Sequence, residues 1–410
     1  MAAAGDCTRP LQLLLRRRRN SRSQGPMQTD EKLTGLRPFY VMEITARSKL
    51  VEASGRQVMH MESGEPGAPP APRVREAVAA ALASPQHYTH SAGQIELRRA
   101  LVDYYREQHR ATVDPESIVV TMGSSSAFIL AFLGAFGPGT RIAVTRPGYP
   151  AYLNTLDGLG MRAVEIPVTA AAGWRLSAAD VEAAYAREKF DGLLFASPAN
   201  PTGAAVTREA LKEIVEVCAR LGVTFISDEI YHGLDYRGPS VSALEFTDDA
   251  IIINSFSKYY CMTGWRIGWM VLPERHNRRT NILQQNLFIA APTLSQIAGR
   301  VALGERDYSE EQKAQYAVNR HILAEGLAQF GLAAASEGDG AFYAYVDFSR
   351  FTNDSLSFCI EMLDQVGVAA TPGIDFDRLN GNRFVRFSYA GTRATIDEGL
   401  NRIGDFLRRR

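Results

Sequence analysis

Gly192-Leu-Leu-Phe-Ala-Ser-Pro-Ala-Asn-Pro-Thr-Gly203 and, after an intervening helical stretch, Val223-Thr-Phe-Ile-Ser-Asp-Glu-Ile-Tyr231 are the two segments from which the architecture can be read. Each is a short apolar run that stops abruptly at small and polar residues. The stretch between them, Arg208–Leu221, has the Ala, Glu, Arg and Leu content of a helix. A strand, a helix and a second strand in this order make a βαβ unit, which implies parallel strands. The same alternation extends outward from residue 70 to about residue 275. It predicts strands at Ile118–Met122, Arg141–Thr145, Ala163–Ile166, Gly192–Ala196, Val223–Ser227, Ile251–Asn254 and Trp265–Val271. Helices are predicted at Arg73–Ala83, Ile95–Arg110, Ala127–Phe136, Ala178–Glu188 and Arg208–Leu221. Near-continuous Val, Ile and Phe content suits strands covered on both faces.

Beyond residue 300 the pattern changes to helical stretches, Glu310–Phe330 and Ser355–Val366, with short strands at Phe342–Asp347 and Phe384–Ser388. The expected fold is therefore α/β. A large domain, residues 65–300, holds a mostly parallel, seven-stranded sheet covered by helices, and both chain ends, 27–64 and 301–410, form a smaller α+β domain. Residues 27–63 are too few to fold alone. Residues 1–26 differ in kind, with six arginines against the single acid Asp6, a charge of +5. Such a leader can be an organelle-targeting segment. A disordered basic tail, or translation from upstream of a true start at Met27, is the plainer reading and is preferred. Arg408–Arg410 is read as a solvated chain end.

The 410 residues are 46% hydrophobic and 22% charged, which is the composition of a soluble globular protein. Lys+Arg and Asp+Glu are 45 each, so charge gives no reason to expect nucleic acid or an anionic membrane as the main partner. A small neutral or zwitterionic partner is expected instead. Cys7, Cys218, Cys261 and Cys359 lie far apart, without CxxC or Cys/His spacing; no metal and a reducing, cytoplasmic setting are expected. The apolar run Ala127–Phe136 falls short of the roughly 20 residues that cross a bilayer.

Polar residues gather where strands end, which is where open α/β sheets bind ligands. Ile118–Met122 runs into Gly123-Ser124-Ser125-Ser126 just before a helix, where backbone N–H groups, hydroxyls and the positive dipole end suit a phosphate. Neither a Walker sequence nor GxGxxG is present, which argues against ATP or NAD bound in their usual ways. Asp228 at a buried strand end needs a cationic partner, for which a protonated ring nitrogen would serve. Lys258, in Ser255-Phe-Ser-Lys258, precedes an apolar stretch (Tyr259, Tyr260, Met262, Trp265). Burial there would lower its pKa and make it a nucleophile toward carbonyls.

These residues, with Met262-Thr-Gly-Trp-Arg266, Asp228-x-x-Tyr231 and Asn200-Pro-Thr-Gly203, resemble the fold type I pyridoxal-phosphate aminotransferases of class I/II, the aspartate aminotransferase-like superfamily. The similarity runs in colinear order from about Arg37 to the end, and includes Gly64-Glu-Pro66, Tyr88-Thr-His-Ser-Ala-Gly93, Pro147-Gly-Tyr149 and Val385-Arg-Phe-Ser-Tyr389. The resemblance implies pyridoxal 5'-phosphate as cofactor and an amino acid and a 2-oxo acid as substrates. By it, Lys258 would form the Schiff base and shuttle a proton. Asp228 would hold the pyridine nitrogen protonated, Asn200 and Tyr231 would bond the ring oxygen, and Tyr149 would stack on the ring. Ser124, Ser125, Ser255 and Arg266 would hold the phosphate, and Tyr88 would reach that of a neighbouring subunit, implying a homodimer with shared active sites. Arg386 would grip the substrate carboxylate, with Gly64 closing over it and Asn200 and Tyr149 nearby.

Departures bear on specificity. Aspartate-using relatives often carry a lysine where this chain has Ser125, small polar residues where it has Phe39 and Tyr40, and tryptophan where it has Tyr149. A carboxylate side chain buried without a cation is penalised, so a neutral, apolar amino donor is expected, in a ping-pong cycle. The alternatives are other reactions of this scaffold on an amino acid: β-lyase, decarboxylase, cyclase or oxidase. A silent effector-sensing domain on a DNA-binding module is disfavoured, because 26 residues are too few for a helix-turn-helix domain. His87, His90 and His232 are read as packed neighbours, and Asn353-Asp-Ser355 as a chance sequon.

Overall fold

The structure, a computed structural model, describes residues 36–333 and 338–410. The basic leader 1–26, Cys7, and residues 27–35 of the segment assigned to the smaller domain lie outside the described residues. Twelve strands are found among the described residues. They are β1 (Met59–His60), β2 (Ile118–Thr121), β3 (Arg141–Arg146), β4 (Arg162–Pro167), β5 (Gly192–Ala196), β6 (Thr224–Asp228), β7 (Ile251–Ser255), β8 (Gly268–Val271), β9 (Tyr343–Asp347), β10 (Val368–Ala369), β11 (Thr371–Pro372) and β12 (Phe384–Ser388).

Seven of them form one sheet in the order β2-β8-β7-β6-β5-β3-β4. Only β8 runs against its neighbours, β2 and β7; every other pairing is parallel. Alternation along the strands divides the core in two. Val119, Ile142, Val144, Leu194, Ile226, Ile251 and Ile253 face one apolar layer, and Val120, Ala143, Leu193, Phe195, Phe225, Ile252 and Trp269 face the other. Both faces are therefore dry, as the uninterrupted apolar runs implied. A smaller α+β part joins the two chain ends: β1 pairs in parallel with β10 against the helix Arg393–Arg408, and β11-β12-β9 form an antiparallel sheet beside the helix Ser355–Val366.

Two boundaries differ from expectation in ways that shape the site. The helix predicted to start at Ala127 begins at Gly123 and runs to Ala135. Gly123 has φ +73°, so β2 turns into the helix with almost no loop, and Gly123-Ser124-Ser125-Ser126 form its first turn. The strand predicted over Trp265–Val271 starts only at Gly268, because Thr263–Trp265 form a 3-10 turn and Arg266 sits at φ 51°. Helices at Tyr40–Ala53, Pro150–Gly158, Glu274–Leu287, Thr293–Ala302 and Arg393–Arg408 were not foreseen. For Tyr40–Ala53 the reason is physical. Its N-cap residue, Phe39, gives no side-chain bond; instead the N–H groups of Tyr40 and Val41 donate to Asp375 Oδ1 and Oδ2 at 2.9 and 3.0 Å. The start signal lies more than three hundred residues away.

Candidate active site

Sheet register brings the predicted residues together. Ala196 pairs with Asp228 and Asp228 with Ile253, so the segments after β5, β6 and β7 leave the sheet at one level. Gly268 pairs with Thr121 on one side and Ser255 on the other, which puts the helix start at Gly123 beside the end of β7. The Gly123 turn has no side-chain cap, leaving its first N–H groups for a ligand. A Cβ at Gly123 would lie 2.5 Å from Arg266 Nη2, so only glycine lets that guanidinium close on the turn. Arg266 Nη1 donates to the Thr263 carbonyl at 3.1 Å. Ser124 is buried and Ser125 exposed. Ser255 Oγ lies 2.8 Å from Ser257 Oγ and 3.0 Å from the Ile267 carbonyl oxygen, so the loop's own groups hold it.

Asp228 is 3% exposed. Ile230 N–H donates to its Oδ1 at 3.1 Å and the Tyr152 hydroxyl to its Oδ2. Burial pushes its carboxyl up to about 6, while Tyr152, the Ile230 N–H and the charge of Lys258 pull the other way. Lys258 Nζ donates to the Gly64 carbonyl at 2.6 Å. Burial brings its amine down to about 8; Glu65 opposes this, and Arg386 and Arg266 add to it. An amine so lowered is largely neutral in mild alkali, as a nucleophile toward a carbonyl must be. Tyr231 and Tyr343 share a hydrogen bond at 2.7 Å. Burial holds the Tyr231 phenol well above its ordinary value, so it stays a neutral hydroxyl.

Arg386, on β12, is 4% exposed. Its Nη1 donates to Asn200 Oδ1 at 2.9 Å; its Nη2 donates to the Glu62 carbonyl at 2.6 Å and to Thr371 Oγ1 at 3.0 Å. The Tyr343 and Phe376 rings lie 4.4 and 4.8 Å from the guanidinium carbon. Every one of these partners is neutral, so the buried charge has no carboxylate within salt-bridge reach among the described residues. A guanidinium held this way is a site for an anion. Tyr149 is half-buried, with the Phe39 ring 6.1 Å away. Tyr88 does not join this cluster: it is 83% exposed. His232 packs against His109, with ring centroids 5.3 Å apart, and burial holds it neutral.

Sequence reading missed Tyr152, Tyr343, Thr371 and Asp375. Tyr152 could have been found, since Pro150 at a first helical position signals a helix and Tyr149 and Tyr152 then share a face. The other three have no local signal. Among the described residues there is no group of three or more His, Cys, Asp or Glu able to hold a metal, and no helix long and apolar enough to cross a membrane.

A buried carboxylate, an amine of lowered basicity, an uncapped helix start under an arginine and a second, unpaired arginine describe an enzyme that acts on amino acids through a phosphorylated pyridine aldehyde. The chain belongs to the family "Aminotransferase class I and II", which it matches over residues 56–403. It is a pyridoxal-phosphate-dependent aminotransferase, and its residues fit that cofactor. Asp228 suits a protonated ring nitrogen, Lys258 an aldehyde, and the uncapped turn at Gly123, where a Cβ would displace the Arg266 guanidinium, a phosphate. The chain is 42% identical to valine–pyruvate aminotransferase of Mycobacterium tuberculosis, over 91% of this chain and 97% of that one. Among solved structures it is similar to an aminotransferase from Mycobacterium tuberculosis, with a TM-score of 0.89, 41% identity, and coverage of 94% of this chain and 100% of that one. It is likewise similar to aspartate aminotransferase from Thermus thermophilus with maleate, with a TM-score of 0.86, 28% identity, and coverage of 93% and 100%.

Proposed function

We propose that the chain transfers the amino group of a neutral, apolar L-amino acid to a 2-oxo acid in a ping-pong cycle, working as a cytoplasmic homodimer with shared active sites. The observation that carries the reading is Arg386: a buried guanidinium with only neutral hydrogen-bond partners, close enough to the Lys258 amine to act on it electrostatically. When bound, pyridoxal phosphate supplies a carbonyl for the substrate amine and an electron-poor ring that withdraws charge from the α-carbon.

The chain's own groups do the rest. Arg386 binds the substrate carboxylate as a fork and fixes its α-carbon in orientation. Lys258 Nζ would take the proton from that carbon and deliver it to the carbon that was the cofactor's aldehyde, so that the amino group stays with the cofactor and the 2-oxo acid leaves, a task for an amine near neutrality. Asp228 holds negative charge against the ring nitrogen, while Asn200 and Tyr231 donate to the ring oxygen. The N–H groups at Ser124 and Ser125, with Arg266, would hold the phosphate, and Ser255 would join them by turning its hydroxyl away from the Ile267 carbonyl. Residues 65–300 would carry the cofactor; the described parts of 27–64 and 301–410 would form the smaller domain and supply Gly64 and Arg386.

For the donor, the support is the aromatic wall of Phe39 and Tyr149, Ser125 in place of a cation, and the similarity to a valine–pyruvate aminotransferase. The Thermus relative is named for aspartate, so the two classes must be compared directly. Stoichiometric single turnovers with valine, leucine, alanine and phenylalanine should release 2-oxo acid before any acceptor is added. Aspartate turning over tenfold faster than these would overturn the donor assignment. Borohydride should fix the cofactor to wild-type chain and leave Lys258→Ala unlabelled; label elsewhere would remove Lys258 from its role.

A further inference from the structure

Tyr152 is a buried group at this site to which the proposed function gives no task. It lies on the helix Pro150–Gly158, one turn beyond Tyr149, and is 6% exposed. Its hydroxyl donates to Asp228 Oδ2, on the opposite carboxylate oxygen from the Ile230 N–H. The ring is set edge-on against Phe128 at 5.2 Å and against Tyr149 at 5.4 Å. Two ring contacts restrict its rotation and so aim the hydroxyl. Burial holds the Tyr152 phenol well above its ordinary value, so it stays a donor. The carboxylate, shut off from water, keeps its charge through the donors it is given.

We propose that Tyr152 is a positioning residue: it keeps Asp228 ionised and fixes the carboxylate plane, and its edge contact ties Tyr149 to the same geometry. This rests on the reading of Asp228 and Tyr149 as cofactor-facing residues. The other titratable groups that act on Asp228 are Lys258 after β7, the adjoining Glu229, and Tyr149. Tyr152 differs from them in giving the carboxylate a direct hydrogen bond. Glu229 is satisfied elsewhere, by Ser227, Ser242 and the Ala243 N–H.

The test is Tyr152→Phe in the full-length chain. Carbon-13 NMR of the aspartate carboxyls, assigned with Asp228→Asn, follows the titration of Asp228 in cofactor-free protein. Removing one donor from a buried carboxylate should raise its midpoint by about one to two pH units. In loaded enzyme the same variant should lose cofactor faster on dilution, and its absorbance titration should shift. An unchanged Asp228 midpoint overturns the proposal. Should the variant not fold, the unsubstituted protein decides: with ζ-carbon-labelled tyrosine, one tyrosine signal should track the Asp228 titration, and the lack of any such signal overturns the proposal. Both NMR titrations are made without cofactor. A chain that never bound pyridoxal phosphate would sink the functional reading and leave this result to stand or fall separately.

Discussion

Arg386 and Asp228 are opposite solutions to burying a charge. The carboxylate is surrounded by donors, and burial still pushes it up to about 6; the guanidinium is surrounded by neutral acceptors and aromatic faces. Arg386→Ala should therefore raise KM for every amino-acid donor alike, by about 100-fold, the ~3 kcal/mol of a pair of charged hydrogen bonds. Steady-state kinetics on three donors checks this, and a donor-selective effect would mean that Arg386 reads the side chain. Asp228→Asn should still bind the cofactor, since Arg266 and the Gly123 turn remain, yet lose about 1000-fold or more in turnover, because a neutral amide cannot hold the ring nitrogen protonated. Cofactor retention measured beside kcat separates the two effects. Both residues could be read from their motifs. Their surroundings could not: nothing near Arg386 in the chain announces Asn200, Glu62 or Thr371 as its partners.

Among the elements, the helix Tyr40–Ala53 is the most dependent on distant chain. Its first N–H groups bond only to Asp375, and Phe39, just ahead of it, faces Tyr149. Asp375→Ala removes both acceptors and should cost about 1 kcal/mol, the usual scale for a helix cap. The loss should be local. Hydrogen exchange should quicken over residues 40–43 before any other segment, and KM for apolar donors should rise while kcat changes little. Uniform exchange across the molecule would show that Asp375 serves the core rather than this helix. The two-residue strands Met59–His60, Val368–Ala369 and Thr371–Pro372 are too short to give a signal, whereas the strands of the large sheet were legible because an apolar run is its own signal. This helix was not, since its start is set by a contact across 335 positions. The helix at Gly123 was placed four residues late because a glycine at positive φ removes the loop that sequence reading expects.

In the whole molecule, Lys258 is buried at a thermodynamic loss. Burial lowers its amine from 10.5 to about 8, so between those values the unfolded chain binds the extra proton. Its burden on stability is full below pH 8 and fades as pH rises toward 10.5. Lys258→Met should accordingly stabilise the cofactor-free chain at pH 7 by about 2 kcal/mol, after allowing for the lost bond to Gly64. The gain should shrink toward pH 10.5; a gain independent of pH would place its origin in packing instead. The parallel sheet, the cofactor class and the gathering of Lys258, Asp228 and Arg266 near strand ends were written in local runs and motifs, because strand burial and strand-end polar groups need particular residues at short spacing. Which groups surround each charge was decided only by folding. Tyr152 on Asp228, Tyr343 on Tyr231 and Asp375 on a helix start are pairings across long separations, created by sheet register and the return of the chain's end, and spacing along a sequence carries no record of them.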